Sequence, residues 1–202
     1  MFDAITGEIR CSYRTYDQYD ELEAALSTCF STSGSRVYGG FKKKLVEFDT
    51  AIPGKKSITY KLKDSISCIA TDLQDSNLLA TGSWEKNIYL HDARSIGQHP
   101  TKATKAHKGG VTRLKFSPCG RFLFSGARKD NSLFGWDIRN MKEPWLKMLR
   151  SSNTNQVIDF DISLYGQWLV SGGVNGCVNI FDLKAEVNGS AAAHQVFYKI
   201  LY

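Results

Sequence analysis

No apolar run in this 202-residue chain approaches the ~20 residues that a membrane-spanning helix needs. Residues 1–10 (MFDAITGEIR) lack the basic-then-apolar layout of a secretory signal. The five cysteines, Cys11, Cys29, Cys68, Cys119 and Cys177, form no C-x-x-C and lie 18, 39, 51 and 58 residues apart. An odd count at such gaps excludes a disulfide framework or a zinc ribbon. There is no Gly-rich phosphate loop. The four histidines (His91, His99, His107, His194) are scattered, with no i,i+4 pair to hold a metal. No metal and no cofactor are expected. No stretch beyond 16–26 carries a convincing 3.6-residue apolar period, which leaves little room for helix. Apolar residues make 42% and charged residues 23%, an ordinary globular balance that excludes a disordered tail. The surplus of six positive charges favours, weakly, an acidic partner.

The chain does have self-similarity. Four segments share one layout: an alternating run, a turn, a second run closing on a small residue plus glycine, and a third ending in Asp. They read LSTCFSTSGSRVYGGFKKKLVEFD, ISCIATDLQDSNLLATGSWEKNIYLHD, VTRLKFSPCGRFLFSGARKDNSLFGWD and VIDFDISLYGQWLVSGGVNGCVNIFD. The closing Asp49, Asp92, Asp137 and Asp182 recur at 43, 45 and 45 residues, and Gly39, Gly82, Gly126 and Gly172 at 43, 44 and 46. A period of ~40–45 residues with four short strands per unit is the mark of a WD-repeat propeller blade. The expected fold is all-β. In the third unit the strands fall near 111–116, 121–126, 132–137 and 145–150, with Ser117-Pro118-Cys119-Gly120 as a turn.

The expected blades are 24–63, 64–105, 106–151 and 152–202, the last closing on a strand in 194–202. Residues 1–23 read as the end of a preceding blade and a linker, with 7–14 as its orphan outer strand. A closed ring of about seven blades needs roughly 300 residues. The expectation is therefore an incomplete arc of about four four-stranded blades plus that N-terminal strand, with open edges that make the isolated chain poorly soluble or oligomeric.

His107, Ser125 and Asp130 are the inventory of an acyl-transfer triad. The structural reading is stronger. With Trp136 they match the buried tetrad of WD blades, and Ser125 lacks the G-x-S-x-G elbow that exposes a nucleophile. The other units keep Thr81 and Ser171 but have Phe48, His91 and Phe181 in place of the tryptophan, which reads as weaker blades. No enzymatic activity is expected.

The turns between second and third strands project on one rim and are basic: Phe41-Lys42-Lys43-Lys44, Trp84-Glu85-Lys86 and Arg128-Lys129. Single-stranded RNA is read by cations on phosphates and by stacking on flat side chains. Lys42, Lys43, Lys86, Arg128 and Lys129 are the candidates for phosphate, and Phe41 or Trp84 for stacking. Asn155 and Gln156 could bond base edges or simply cap their loop.

Longer runs go beyond the generic repeat. The stretch YDQYDELEAALSTCFSTSGSRVYGGFKKKLVEFDTAIPG, then SISCIA, HKGGVTRLKFSPCGRFLFSGARKD, WDIR and TNQVIDFDISLYGQWLVSG together resemble the telomerase Cajal body protein family. The resemblance implies a non-enzymatic WD scaffold that binds small Cajal-body RNAs and telomerase RNA through a short box in a hairpin loop. It further implies delivery to Cajal bodies, telomerase delivery to telomeres, and contacts with RNA-particle core proteins, telomerase and DNA-repair proteins. The implied location is the nucleus and Cajal body, with telomeres and cytoplasm as further sites, and no membrane partner. Thr71-Asp72 after SISCIA and the stretch 97–105 depart from the family pattern. The competing expectation is a generic WD interaction platform, such as a chromatin or ubiquitin-ligase adaptor.

Overall fold

Leu123 and Phe124 are neighbours on one strand and therefore point to opposite faces of their sheet. Leu123 joins a core with Leu90, Val111 and Trp136, whereas Phe124 joins one with Leu169, Phe181 and Met148. That alternation, repeated along the chain, decides the architecture. Each of the two middle sheets buries one face on the sheet before it and the other on the sheet after it.

The computed structural model describes residues 1–52, 57–96, 98, 100–104, 106–184 and 195–199, for 101–104 and 195–199 the backbone alone. His99, His194 and 200–202 lie outside the described residues. Sixteen strands are present among the described residues. The first sheet comprises β1 (Ser27–Phe30), β2 (Arg36–Phe41), β3 (Lys44–Asp49) and β4 (Ile58–Lys61), and the second β5 (Ile66–Thr71), β6 (Leu78–Ser83), β7 (Asn87–Asp92) and β8 (Thr101–Thr104). The third comprises β9 (Val111–Phe116), β10 (Phe122–Ala127), β11 (Ser132–Asp137) and β12 (Leu146–Leu149). The fourth comprises β13 (Phe160–Ile162), β14 (Trp168–Gly172), β15 (Cys177–Asp182) and β16 (Gln195–Lys199). Each is an antiparallel meander with strands in chain order.

The first strands stand side by side, β1 beside β5, β5 beside β9 and β9 beside β13. Among the described residues β13 is not packed on β1, so the sheets form an arc. Hydrogen bonds and ion pairs stitch its inner edge. Thr71 donates to the Phe30 carbonyl at 3.1 Å, Arg113 grips Asp159 with both nitrogens at 2.6 and 2.5 Å, and Lys115 reaches Asp161 at 2.6 Å.

One expectation needs correction. Residues 7–14 form no strand; a single bridge, Phe2 to Ile9, is the pairing in that stretch. A strand needs a neighbour to complete its ladder, and among the described residues no strand lies alongside this segment. It lies instead against the first sheet, where Tyr13 packs at a tilt on Phe48 with ring centroids 5.0 Å apart, and further along the chain Glu23 pairs with Lys44 at 2.6 Å. Residues 16–26 likewise form a turn closed by the Tyr16–Leu22 bridge.

The two kinds of seam differ in weight. Replacing a fully buried aromatic leaves a cavity and costs about 3–5 kcal/mol, while ion pairs as exposed as Arg113–Asp159, at 44% and 54%, contribute below about 1 kcal/mol. Phe124→Ala is therefore expected to lower unfolding stability several times more than Arg113→Ala in equilibrium denaturation. The reverse order would contradict packing as the force between sheets.

Candidate nucleic-acid interface

In each meander the turn between second and third strands, and the loop that leaves the fourth strand for the next sheet, emerge at the same end. That end gathers Lys42-Lys43, Trp84-Glu85-Lys86 and Arg128-Lys129 with the loops 62–65, 106–110 and 150–159. The four turns share a backbone device. Lys43, Lys86 and Lys129 have φ of 58, 70 and 51°, and in the fourth sheet Gly176 has φ 74°. Three sheets thus hold lysine in a left-handed conformation that costs a side chain on the order of 1 kcal/mol. Lys42, Lys43, Lys86 and Lys129 are exposed.

The structure brings the second and third turns into contact. The Arg128 guanidinium lies over the Trp84 ring at 4.6 Å, within the range of a cation–π interaction. The loop His107-Lys108-Gly109-Gly110 is clamped between them: the Arg128 amide donates to the Gly110 carbonyl at 3.1 Å. A Cβ on Gly109 would fall 1.9 Å from the Arg128 carbonyl oxygen, and one on Gly110 2.8 Å from the Trp84 ring, so side chains are excluded at both. The same loop places the exposed Lys108 beside this cluster, a cation with no mark in the sequence pattern. On the far side the Lys129 amide donates to the Thr154 carbonyl at 2.8 Å, which ties in the loop carrying the exposed Asn155 and Gln156. The Gln156 backbone amide donates to Thr154 Oγ1 at 3.2 Å. Glu85, the exposed carboxylate of these turns, accepts from the Ser65 amide at 3.1 Å.

Phe41 is a correction. It is 2% exposed and packs with Val46, Phe48 and Tyr13, because its place on β2 turns the ring to the face of the first sheet that the N-terminal segment covers, so no base can stack on it. Lys42 and Lys43 stand at the equivalent turn of the first sheet. Trp84 is half-buried under Arg128, so the flat surface offered to solvent there is the guanidinium as well as the indole.

Beneath this rim sits a closed hydrogen-bond chain. Trp136 Nε1 donates to Ser125 Oγ at 2.8 Å, Ser125 meets His107 Nε2 at 2.8 Å, and His107 Nδ1 meets Asp130 Oδ2 at 2.8 Å. A carboxylate can only accept, so His107 carries its proton on Nδ1 and takes the Ser125 hydroxyl proton at Nε2. Burial pushes the Asp130 carboxyl up, but donation from His107 and from the Lys108 and Ser132 amides outweighs it and holds the group at about 2. Ser125 is 0% exposed with its oxygen engaged on both sides, so this trio offers no nucleophile to a substrate.

The other sheets replace the tetrad instead of lacking it, a pattern invisible when only tryptophan is sought. In the second, His91 Nε2 bonds Thr81 Oγ1 at 2.9 Å, while Asp64 accepts from Asn87 Nδ2 at 2.5 Å and from Tyr89 at 2.6 Å. In the fourth, buried Arg150 reaches Ser171 Oγ at 2.5 Å and the Ile158 carbonyl at 3.1 Å, and burial lowers its guanidinium to about 10.

These groups give stability a pH signature. Burial lowers the His91 imidazole from 6.5 to about 4, so the unfolded chain binds this proton more readily. Stability from this site is full above about 6.5 and falls as pH drops toward 4; Asp130 adds a further loss below 3.8 toward 2. Denaturant midpoints measured from pH 7.5 to 4.5 are expected to decline, and to decline less in His91→Leu. An equal decline in the variant would contradict a neutral buried His91.

Comparison with known proteins agrees with this geometry. The WD domain, G-beta repeat family profile matches residues 54–92, 98–137 and 146–182. The chain is 42% identical over 188 residues to Telomerase Cajal body protein 1 homolog of Drosophila melanogaster, covering 91% of this chain and 35% of that one. It is 41% identical over 195 residues to Telomerase Cajal body protein 1 of Homo sapiens, covering 93% of this chain and 35% of that protein. The chain thus spans about a third of the length of these relatives. A chain of the solved "Crystal Structure of Mitotic Checkpoint Complex" superposes with a TM-score of 0.73 at 20% identity, covering 98% of this chain and 59% of that one, a likeness of fold alone. The repeats, the four meanders and these matches place the chain in the WD domain, G-beta repeat family, to which it belongs, with telomerase Cajal body protein 1 as the relative it is similar to over nine-tenths of its length.

Proposed function

We propose that the chain is part of a non-enzymatic WD scaffold that binds small Cajal-body RNA and telomerase RNA and takes them to nuclear Cajal bodies, supporting delivery of telomerase to telomeres. The observation that carries the RNA reading is the Arg128–Trp84 stack at 4.6 Å, ringed by exposed Lys86, Lys108 and Lys129. A guanidinium plane backed by an indole gives an unpaired base a flat cationic face, and the lysines supply the charge that phosphates need. Asn155 and Gln156, tied to the Lys129 turn, stand where base edges would follow. Similarity to telomerase Cajal body protein 1 directs the choice of RNA. RNA-particle core proteins, telomerase itself and DNA-repair proteins are the partners this reading carries, and the four sheets are proposed as blades of a propeller completed by further chain.

Two variants separate the roles. In binding of a small Cajal-body RNA hairpin, Lys86→Ala with Lys129→Ala is expected to weaken affinity and reduce the slope of log K against log salt by roughly 0.7 for each phosphate no longer neutralised. Arg128→Lys keeps the charge and removes the plane. It is expected to cost about 1–3 kcal/mol, the range of one base stack, with the slope unchanged. A slope unaltered by removal of both lysines would overturn the rim as the RNA site.

A further inference from the structure

Turns between first and second strands emerge at the end opposite the basic rim, together with those between third and fourth strands. Three of the first kind share one construction, Ser-x-x-Gly. The Gly34, Gly120 and Gly166 amides donate to the Ser31, Ser117 and Ser163 carbonyls at 2.8, 2.9 and 2.8 Å, and the glycines have φ of 70, 69 and 66°. The three serine hydroxyls accept from the Arg36, Phe122 and Trp168 amides at 3.0, 3.0 and 2.9 Å. Serine and glycine therefore make the turn, and something else sets its two middle residues. In the first sheet they are exposed Thr32 and Ser33, the polar choice usual for a turn. In the third they are Pro118 and Cys119, and in the fourth Leu164 and Tyr165, 80% and 87% exposed. Neither Leu164 nor Tyr165 joins a core.

These turns adjoin. A Cβ on Gly166 would lie 3.5 Å from Pro118 Cδ, so the third and fourth turns touch. Gln74 Nε2 donates to the Pro118 carbonyl at 2.9 Å, which joins on the second-sheet turn and its exposed Leu73. At the end of the third turn the Arg121 guanidinium lies over the Phe122 ring at 5.3 Å, and Phe122 tilts against Trp145 with centroids 4.9 Å apart. Trp145 is 40% exposed. Arg121 stands 3.6 Å from Asp137, but Arg139 already grips that carboxylate at 2.9 and 2.6 Å, so the Arg121 donors stay open to a second one. The carboxylates of the second turn are occupied locally: Asp72 accepts from the Gln74 and Asp75 amides, and Asp75 from that of Asn77.

We propose that this end is a docking surface for another protein, which presents apolar side chains to Trp145, Leu164 and Tyr165 and a carboxylate to Arg121. Exposed apolar patches of this kind mark interaction sites, and Trp, Tyr and Arg are the residues that most often anchor them. The locked turns hold the anchors in place, so little ordering entropy is lost on binding. A protein fits better than RNA, because Leu73, Pro118 and Leu164 offer no flat face to a base and the lysines gather at the other end. The inference deepens the scaffold reading, on which it rests, by giving the protein partners a place away from the RNA.

The test selects random peptides displayed on phage against the full 202-residue chain and titrates the resynthesised winners. The winners are expected to combine apolar side chains with Asp or Glu. Leu164→Ser with Tyr165→Ser is expected to weaken them about tenfold or more, the loss that marks a central interface residue. Both residues are exposed and outside the cores, so the denaturant midpoint of this variant is expected to be unchanged. Arg121→Ala, and replacement of the peptide carboxylate by its amide, are expected to weaken binding singly and to add little when combined, as partners in one contact do. No enriched peptide, a basic consensus, additive losses at Arg121, or full affinity in the Leu164 and Tyr165 variant would overturn the proposal. A lowered midpoint would make the pair structural and overturn it too. So would an oligomer of the chain that the variant disperses, which assigns the surface to a second copy, or hairpin RNA binding lost in that variant. Lys86→Ala with Lys129→Ala is expected to leave peptide affinity unchanged, so failure here and failure of the RNA rim are read separately.

Discussion

The bond between His107 and Asp130 holds the candidate surface in place. Asp130 closes the turn that carries Arg128 and Lys129, and His107 opens the loop that carries Lys108, Gly109 and Gly110. Joined at 2.8 Å and buried to within a few percent, the two side chains fix turn against loop. Trp136 and Ser125 extend the link down into the sheet, so the rim is anchored to the core instead of floating on it. A half-satisfied network would cost stability at such depth, and here every member has its partner.

The neighbouring sheets solve the same problem with other chemistry. A carboxylate that gathers donors recurs: Asp64 in the second sheet, and in the first Glu47, which accepts from Tyr60 at 3.0 Å and pairs with Arg36. The fourth sheet uses a cation, Arg150, where the third uses histidine and aspartate. Departures from the WD pattern are therefore changes of strut. One of them, His91, leaves Nδ1 without a hydrogen-bond partner among the described residues.

Much of the fold was legible in the sequence because the repeat writes the same physical demands four times. The strands expected at 111–116 and 132–137 coincide with β9 and β11, and the quartet around Trp136 could be named because each member supplies a donor or acceptor the next one needs. The failures have one origin. Whether an aromatic at a turn faces solvent depends on strand parity and on what covers that face of the sheet, here the segment carrying Tyr13, which is why Phe41 looked available and is buried. The stretch 7–14 has strand composition, but pairing is a property of neighbours. Only the folded loop brings Lys108 beside Arg128, and the left-handed lysines at 43, 86 and 129 carry no sequence mark where glycine is the usual signal.

The central claim is that one end of the meanders, and not the other, meets RNA. Ultraviolet crosslinking of the chain to a small Cajal-body RNA hairpin, followed by mass spectrometry of the adducts, reads this directly. Adducts at Trp84, Lys86, Lys108, Arg128 and Lys129 are the predicted result. Adducts confined to the opposite turns, around Pro118-Cys119 and Leu164-Tyr165, would contradict it.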